Sequence, residues 1–261
     1  MLILYEHPLS PYAQKVKISL REKGIDFEAR LPAGIGSGDT PDDFMAGNPR
    51  GEVPFLRDGQ AAIFDSTIIL EYIEDKWPTP PMLPETPENR ARARLVEDVM
   101  DCHFEPITWG LGELNHFKRA SGEMKDRIEA RAGRQITGLH KWLERELAGR
   151  DWFNGDRFGW GDLSVIPYVN GAAGFGFAPA PGSALAAWHK RVMSRDSVAA
   201  TAHEAVESVK GMQGVSDAVK SGLFKREYRD HRLEWMIKSG GVDVVLKGLE
   251  KDNIRFTPDF S

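Results

Sequence analysis

The spacing of apolar residues divides the chain into a mixed first third and a helical remainder. Residues 2–5 form a short apolar run, and residues 13–23 place Val16 and Leu20 on one face of a helix. Residues 25–29 then alternate apolar and polar side chains, which predicts a second strand. Because a helix joins these two strands, we expect them to be parallel, as in a β-α-β unit.

The pattern goes on to predict a hairpin and a further helix. Residues 57–60 are a turn that leads into a return strand at residues 61–64. A helix is predicted from Asp65 through Trp77, and residues 42–46 predict a short helical turn. The predicted order of elements is therefore β-α-β-α-β-β-α.

A proline-rich segment separates this part from a helical one. Residues 76–84 contain four prolines, which block both helix and sheet, so we expect a linker there. Residues 88–117 and 123–148 predict long helices, shorter helices follow, and the chain becomes more polar beyond residue 211. The predicted parts are an α/β domain at residues 1–80, an all-α domain at residues 88–225 and a C-terminal helical extension at residues 226–261.

Composition narrows the classes of function. The chain has 261 residues, 41% of them hydrophobic and 28% charged, which is typical of a globular protein. A net charge of -5 gives no reason to expect a nucleic-acid partner. No apolar run is long enough to span a bilayer, and the first residues lack the basic start of a signal peptide. We therefore expect a cytoplasmic protein without a membrane partner.

A single cysteine limits the chemistry further. Cys102 has no second cysteine with which to form an intramolecular disulfide, which fits a reducing compartment. Cys102, His103 and His116 fall in or near one predicted helix, but their spacing is not that of a metal site. We expect them to occupy ordinary helix positions and predict no bound metal.

Ser10 marks the start of the first predicted helix. A hydroxyl residue followed by Pro11 is a helix-start signal, since serine caps the backbone and proline fits the first helical position. The same place suits an anion, because backbone N–H groups converge there and the helix dipole favours negative charge. The residues alone leave both interpretations open: a cap only, or a cap that also meets a ligand.

Two later stretches have the same double meaning. A cis peptide bond between Val53 and Pro54 would turn the backbone of Val53 outward and offer its N–H and C=O to a ligand. Asp65 or Ser66 is explained by helix capping alone, or by a second helix start that binds a carboxylate.

Five stretches of the chain form an ordered set. They are residues 10–12, 48–54 and 65–66, the proline-rich linker and residues 158–162. Together and in this order they resemble the soluble glutathione S-transferases, over residues 1 to about 210. The resemblance implies a thioredoxin-like N-terminal domain, an all-helical C-terminal domain, bound glutathione and a homodimer. Gly159 departs from the family, which usually has Ser or Thr there, while Asp162 matches.

The resemblance also implies residue roles. Ser10 takes the catalytic place, as a hydrogen-bond donor to the glutathione sulfur. The backbone of Val53, before Pro54, pairs with the cysteinyl part of the peptide. Asp65 and Ser66 hold the γ-glutamyl end, where the family usually has Glu-Ser or Gln-Ser.

Two parts of the implied site stay open. No motif identifies the group that binds the glycine carboxylate of glutathione, and Arg50 and Lys15 are guesses. Tyr5 and Tyr12 are alternative donors to the sulfur. A serine in place of a cysteine favours thiolate transfer over disulfide exchange.

The implied activity is transfer of glutathione to a small hydrophobic, aromatic electrophile, as in detoxification. Residues 156–160 and the long C-terminal tail also look like those of bacterial relatives that cleave lignin-derived aryl ethers. One alternative is a glutathione-transferase-like binding or regulatory module without catalysis, because this fold is reused. Another is a glutathione-dependent isomerase or dehalogenase with the same first site.

Overall fold

The computed structural model describes residues 1–34, 42–212, 214–224, 226, 228 and 231–254. Its N-terminal part has the predicted order of elements. These are β1 (Leu2–Tyr5), α1 (Pro11–Glu22), β2 (Glu28–Arg30), α2 (Asp42–Gly47), β3 (Phe55–Asp58), β4 (Ala61–Phe64) and α3 (Ser66–Lys76). The sheet order is β2-β1-β3-β4, in which β1 and β2 are parallel and the other pairs are antiparallel. This is a thioredoxin-like α/β domain, as expected.

The second strand begins later than the sequence predicts. We expected it at residues 25–29, but only Glu28–Arg30 pairs with β1. The reason is the end of α1, where the Ile25 N–H donates to the Leu20 carbonyl at 3.0 Å and Gly24 has a φ of 63°. This C-terminal turn uses the Ile25 donor, so the chain reaches the sheet a few residues further on.

The remaining elements are helical. They are α4 (Pro87–Val99), α5 (Glu105–Asn115), α6 (Gly122–Leu147), α7 (Trp160–Gly174), α8 (Ala184–Met193), α9 (Asp196–Lys210), α10 (Val215–Lys220), α11 (His231–Lys238) and α12 (Val242–Glu250). In the described part of the chain, no helix is both long enough and apolar enough to cross a membrane.

The segment 88–117, predicted as one helical stretch, is interrupted. A π-helical turn, Met100–Phe104, separates α4 from α5. Pro106 follows this turn and lacks the N–H that an α-helix would direct to the carbonyl of Cys102. In the wider π-helical turn, the backbone does not need the hydrogen bond that Pro106 cannot make. The same turn places Asp101 at the boundary between the domains.

One buried apolar cluster extends through both domains. It includes Leu4 of β1, Val16 and Leu20 of α1, and Leu163 of α7, all without exposed surface. α7 lies at its centre and packs against both α1 and α4. The helical domain is therefore held directly against the helix that begins at Ser10.

Asp162 secures the start of α7. Its carboxylate accepts hydrogen bonds from the Gly159 N–H at 3.1 Å and from Trp188 Nε1 at 2.8 Å. A Cβ at Gly159 would lie 2.1 Å from Nδ2 of Asn154 and 2.3 Å from the carbonyl oxygen of Met82. Asn154 Nδ2 itself donates to that carbonyl at 2.8 Å. Asn154 thus fills the space of the usual hydroxyl cap, which explains why position 159 is glycine.

Candidate functional site

Three residues from three strands form one row at an edge of the sheet. Tyr5 ends β1 and pairs with Phe55, which begins β3. Phe55 in turn pairs with Phe64, which ends β4. Phe44 of α2 packs its ring edge-on against Tyr5 and Phe55, with centroids 5.3 and 5.5 Å apart. The aromatic contacts fix the position of this row.

Each strand of the row leads into a stretch that the sequence singled out. Ser10 follows β1 by way of a short loop, Val53 and Pro54 precede β3, and Asp65 follows β4. Since Tyr5, Phe55 and Phe64 are neighbours across the sheet, the three stretches leave it at the same edge.

Ser10 caps α1, as its sequence predicts. Its Oγ accepts a hydrogen bond from the Ala13 N–H at 3.3 Å, and its own N–H donates to the His7 carbonyl at 2.8 Å. Gln14 Nε2 holds the loop from the other side by donating to the Pro8 carbonyl at 2.8 Å. The cap uses a lone pair of Oγ and not its proton, so the hydroxyl can cap the helix and donate to a ligand at once.

His7 is a feature of this loop that the sequence did not identify. Its Nδ1 accepts a hydrogen bond from the Leu9 N–H at 3.1 Å, which places the ring proton on Nε2. Burial, and secondarily the charge of Lys17, lower the pKa of His7 below its usual 6.5. The imidazole is therefore neutral at pH 7. Its position just before Pro8 and Ser10 was the available signal.

The turn before β3 is rigidly held. Asn48, which has no exposed surface, donates from Nδ2 to the Glu52 carbonyl at 2.5 Å. The Gly51 N–H donates to the Asn48 carbonyl at 2.9 Å. The Val53–Pro54 peptide bond is cis, the geometry that the sequence analysis considered for this stretch.

Asp65 is the cap of α3 and makes a second contact. Oδ1 accepts from the Thr67 N–H at 3.0 Å, and Oδ2 accepts from Arg50 Nη1 at 3.1 Å. Arg50 also lies over the ring of Phe64, with 5.2 Å to the centroid. Ser66, the first residue of α3, is buried. Arg50, a candidate for the glycine carboxylate, thus lies beside the residue assigned to the γ-glutamyl end.

Two other candidate residues face the helical domain. Lys15 is 0% exposed, and its Nζ lies 2.5 Å from Glu97 Oε1 and 2.6 Å from Asp101 Oδ2. Burial alone would lower the pKa of Lys15, but the two carboxylates raise it, so the ammonium stays charged. The hydroxyl of Tyr12 donates to the Asp101 carbonyl at 3.2 Å. Lys15 is therefore enclosed between the domains and is not available to bind the glycine carboxylate of glutathione.

Cys102 does not provide a second reactive centre. It lies on the π-helical turn, and partial burial of its thiol, together with the charges of Asp98 and Asp101, raises its pKa to about 11. The thiol is therefore protonated at neutral pH. Within the described ranges, no group of three or more His, Cys, Asp or Glu side chains could hold a metal ion.

The fold and this edge define a two-domain protein in which a thioredoxin-like domain presents three loops beside a helical domain. Comparison with family models agrees with that class. A model described as "Glutathione S-transferase, N-terminal domain" matches residues 4–81. A model described as "Glutathione S-transferase, C-terminal domain" matches residues 101–196.

Individual relatives point the same way. Glutathione S-transferase U28 from Arabidopsis thaliana is 30% identical over 202 residues, covering 75% of this chain and 85% of that protein. Maleylacetoacetate isomerase from Pseudomonas aeruginosa is 30% identical over 179 residues, covering 67% and 83%. The structure of rice GST1 in complex with glutathione superposes with a TM-score of 0.68 and 27% identity, covering 83% and 96%. The chain belongs to the glutathione S-transferase family.

Proposed function

We propose that this protein is a glutathione transferase whose peptide substrate lies along the row of Tyr5, Phe55 and Phe64. The sulfur would lie at Ser10, the cysteinyl backbone at Val53 beside Pro54, and the γ-glutamyl end at Asp65 and Ser66. The observation that supports this most directly is the shared register of the three strands. The groups present suit the peptide: a hydroxyl proton, a backbone next to a cis proline, and two helix starts.

Bound glutathione would supply a thiolate nucleophile for an electrophilic carbon. Ser10 Oγ would donate a hydrogen bond to the sulfur and keep its proton, and the start of α1 would add partial positive charge. Lowering the thiol pKa by about one unit corresponds to ~1.4 kcal/mol in favour of the anion. His7 is neutral and adds no charge to this balance. Ser10 would thus stabilise the thiolate without becoming a nucleophile itself.

The electrophile that we propose is small, hydrophobic and aromatic, with an aryl β-ether as the narrower class. We also propose that the protein is a cytoplasmic homodimer. Its chain would divide into the α/β domain at residues 1–80, the all-α domain at residues 88–225 and the C-terminal extension at residues 226–261. A second candidate is a glutathione-dependent isomerase, because one relative is named maleylacetoacetate isomerase. Consumption of glutathione separates the two, since a transferase uses one molecule per product and an isomerase regenerates it.

The first experiment is binding. Millimolar glutathione should raise the melting temperature of the protein, because a ligand that binds only the folded state stabilises it. Isothermal titration would then give Kd. Absence of both signals would exclude the transferase and the isomerase together.

Ser10→Ala tests the role of the hydroxyl. We expect kcat to fall about 10- to 100-fold, the value of one hydrogen bond to a charged group, with Kd for glutathione within about twofold. Ser183→Ala is the matched control, because Ser183 Oγ caps α8 through the Ala186 N–H at 3.0 Å. Both variants lose a cap, but only the first should lose turnover. Unchanged turnover in Ser10→Ala would assign thiol activation to another donor.

Asp65→Ala tests the γ-glutamyl end. We expect weaker glutathione binding, because the variant loses the carboxylate that lies at the start of α3 and orients Arg50. Asp65→Asn, which keeps an oxygen for the cap, separates loss of charge from loss of the helix start. An unchanged Kd in both variants would move the γ-glutamyl end elsewhere.

A further inference from the structure

One buried carboxylate connects the two helices that begin at the proposed site. Glu97 of α4 is 2% exposed, and its Oε1 accepts from Lys15 Nζ at 2.5 Å and from Thr67 Oγ1 at 2.8 Å. Lys15 lies in the second turn of α1, and Thr67 lies in the first turn of α3. A single oxygen therefore bonds to both helices.

The helical domain holds this carboxylate in place. Trp160 Nε1 of α7 donates to Glu97 Oε2. Asp101, which shares Lys15, accepts in turn from the hydroxyl of Tyr168 at 2.6 Å. Buried polar groups that are all paired in this way strongly favour one geometry. Glu97 is thus fixed from one domain while it binds two helices of the other.

The consequence concerns the distance between the two helix starts. If α1 shifted, the buried charge of Lys15 would lose its partner, and if α3 shifted, the partly buried hydroxyl of Thr67 would lose its acceptor; both losses are costly. A peptide that contacts both helix starts gains affinity when their separation is already correct, because no ordering has to accompany binding.

We propose that Glu97 is a positioning residue that, through Lys15 and Thr67, sets the span between the starts of α1 and α3 for glutathione. This inference rests on the proposed function. Glu97 acts on the ligand only through the two helices. Its loss should therefore raise the Kd and KM for glutathione more than it lowers kcat.

Thr67→Val is the sharpest test. Valine has nearly the shape of threonine but cannot donate to Glu97, while the Thr67 backbone N–H still reaches Asp65. We expect Kd and KM for glutathione to rise roughly three- to tenfold, the value of about one hydrogen bond, with kcat at saturating glutathione within about twofold. Thr67→Ser, which restores the hydroxyl, should restore both constants.

Thr137→Val is the matched control. Thr137 is exposed on α6, where its Oγ1 donates to the Gly133 carbonyl at 2.8 Å. The same atoms change there, far along the chain from the helix starts, so Kd should stay at the wild-type value. Glu97→Gln is a second variant that removes the charge, and it should raise Kd at least as much as Thr67→Val.

The outcomes separate this inference from the proposed function. A lower melting temperature in Thr67→Val with unchanged Kd would overturn the positioning role, because the contact would then be structural only. The proposed function would still stand after that result, provided that the wild type binds glutathione and that Asp65→Ala weakens binding in the same assay. If wild type itself does not bind glutathione, both are overturned. A raised Kd that Thr67→Ser reverses supports the inference.

Discussion

Two helices of this protein depart from their hydrophobic patterns in opposite directions. In α1 the residues Lys15 and Lys17 are 0% and 1% exposed. In α12 the residues Leu246 and Leu249 are 51% and 53% exposed. The first helix buries its charges, and the last one leaves its apolar residues uncovered. The hydrophobic pattern of a helix therefore does not by itself tell which of its side chains are buried.

The charges of α1 are buried because carboxylates, most of them from the helical domain, pair with them. Lys15 reaches Glu97 and Asp101, and Lys17 reaches Glu6 at 3.0 Å and Glu204 of α9. A buried charge is tolerated only when paired, since its desolvation costs several kcal/mol. Each of the two lysines of α1 thus pairs with at least one carboxylate of the helical domain.

Among the substitutions that test this comparison, Lys15→Met should lower the free energy of unfolding the most. It leaves Glu97 and Asp101 buried without their cation, so we expect a loss of about 3–5 kcal/mol in the free energy of unfolding. Urea unfolding followed by circular dichroism measures it. Lys125→Met is the matched control, because Lys125 makes only a partly exposed pair with Glu129 and should cost less than about 0.5 kcal/mol. Equal effects in the two variants would contradict the interpretation of α1 as a charged interface.

Much of the fold follows from local signals in the sequence. The order of elements, the proline linker, the Ser10 cap and the cis bond before Pro54 all depend on residues that are close in the chain. The burial of Lys15 depends on Glu97, 82 positions away, so no local pattern could show it. The Arg50–Asp65 contact was hidden for the same reason. Both features depend on contacts between residues that are separated in the chain, and local sequence patterns carry no information about such contacts.

The contacts of Glu22, at the C-terminal end of α1, should contribute an intermediate amount to the free energy of unfolding. Burial would raise the pKa of Glu22, but hydrogen bonds from Arg195 and Ser197 outweigh it and hold this pKa below the usual 4.5. The folded state therefore binds this proton less readily than the unfolded state. The stabilisation is present above pH 4.5 and is lost as the pH falls through the folded-state pKa.

Arg195→Met should therefore cost about 1–2 kcal/mol at pH 7 and progressively less in acid. Chemical unfolding at a series of pH values from neutral to strongly acid measures the difference from wild type. Arg191→Met is the control, since Arg191 pairs with the exposed Asp151. A difference that stays constant with pH would show that Arg195 acts through packing on Phe158, whose ring centroid lies 4.4 Å from the guanidinium carbon, and not through Glu22.

The smallest effect is expected on α12. Leu246→Ala removes apolar atoms that are half exposed already, so the free energy of unfolding should change by less than about 0.5 kcal/mol. The same substitution at Leu20, which is 0% exposed in α1, should cost about 2–5 kcal/mol because it leaves a cavity. If Leu246→Ala instead costs more than about 1.5 kcal/mol, the apolar face of α12 is covered in solution. A dependence of that loss on protein concentration would then identify a second copy of the chain as the cover, because only association makes stability change with concentration.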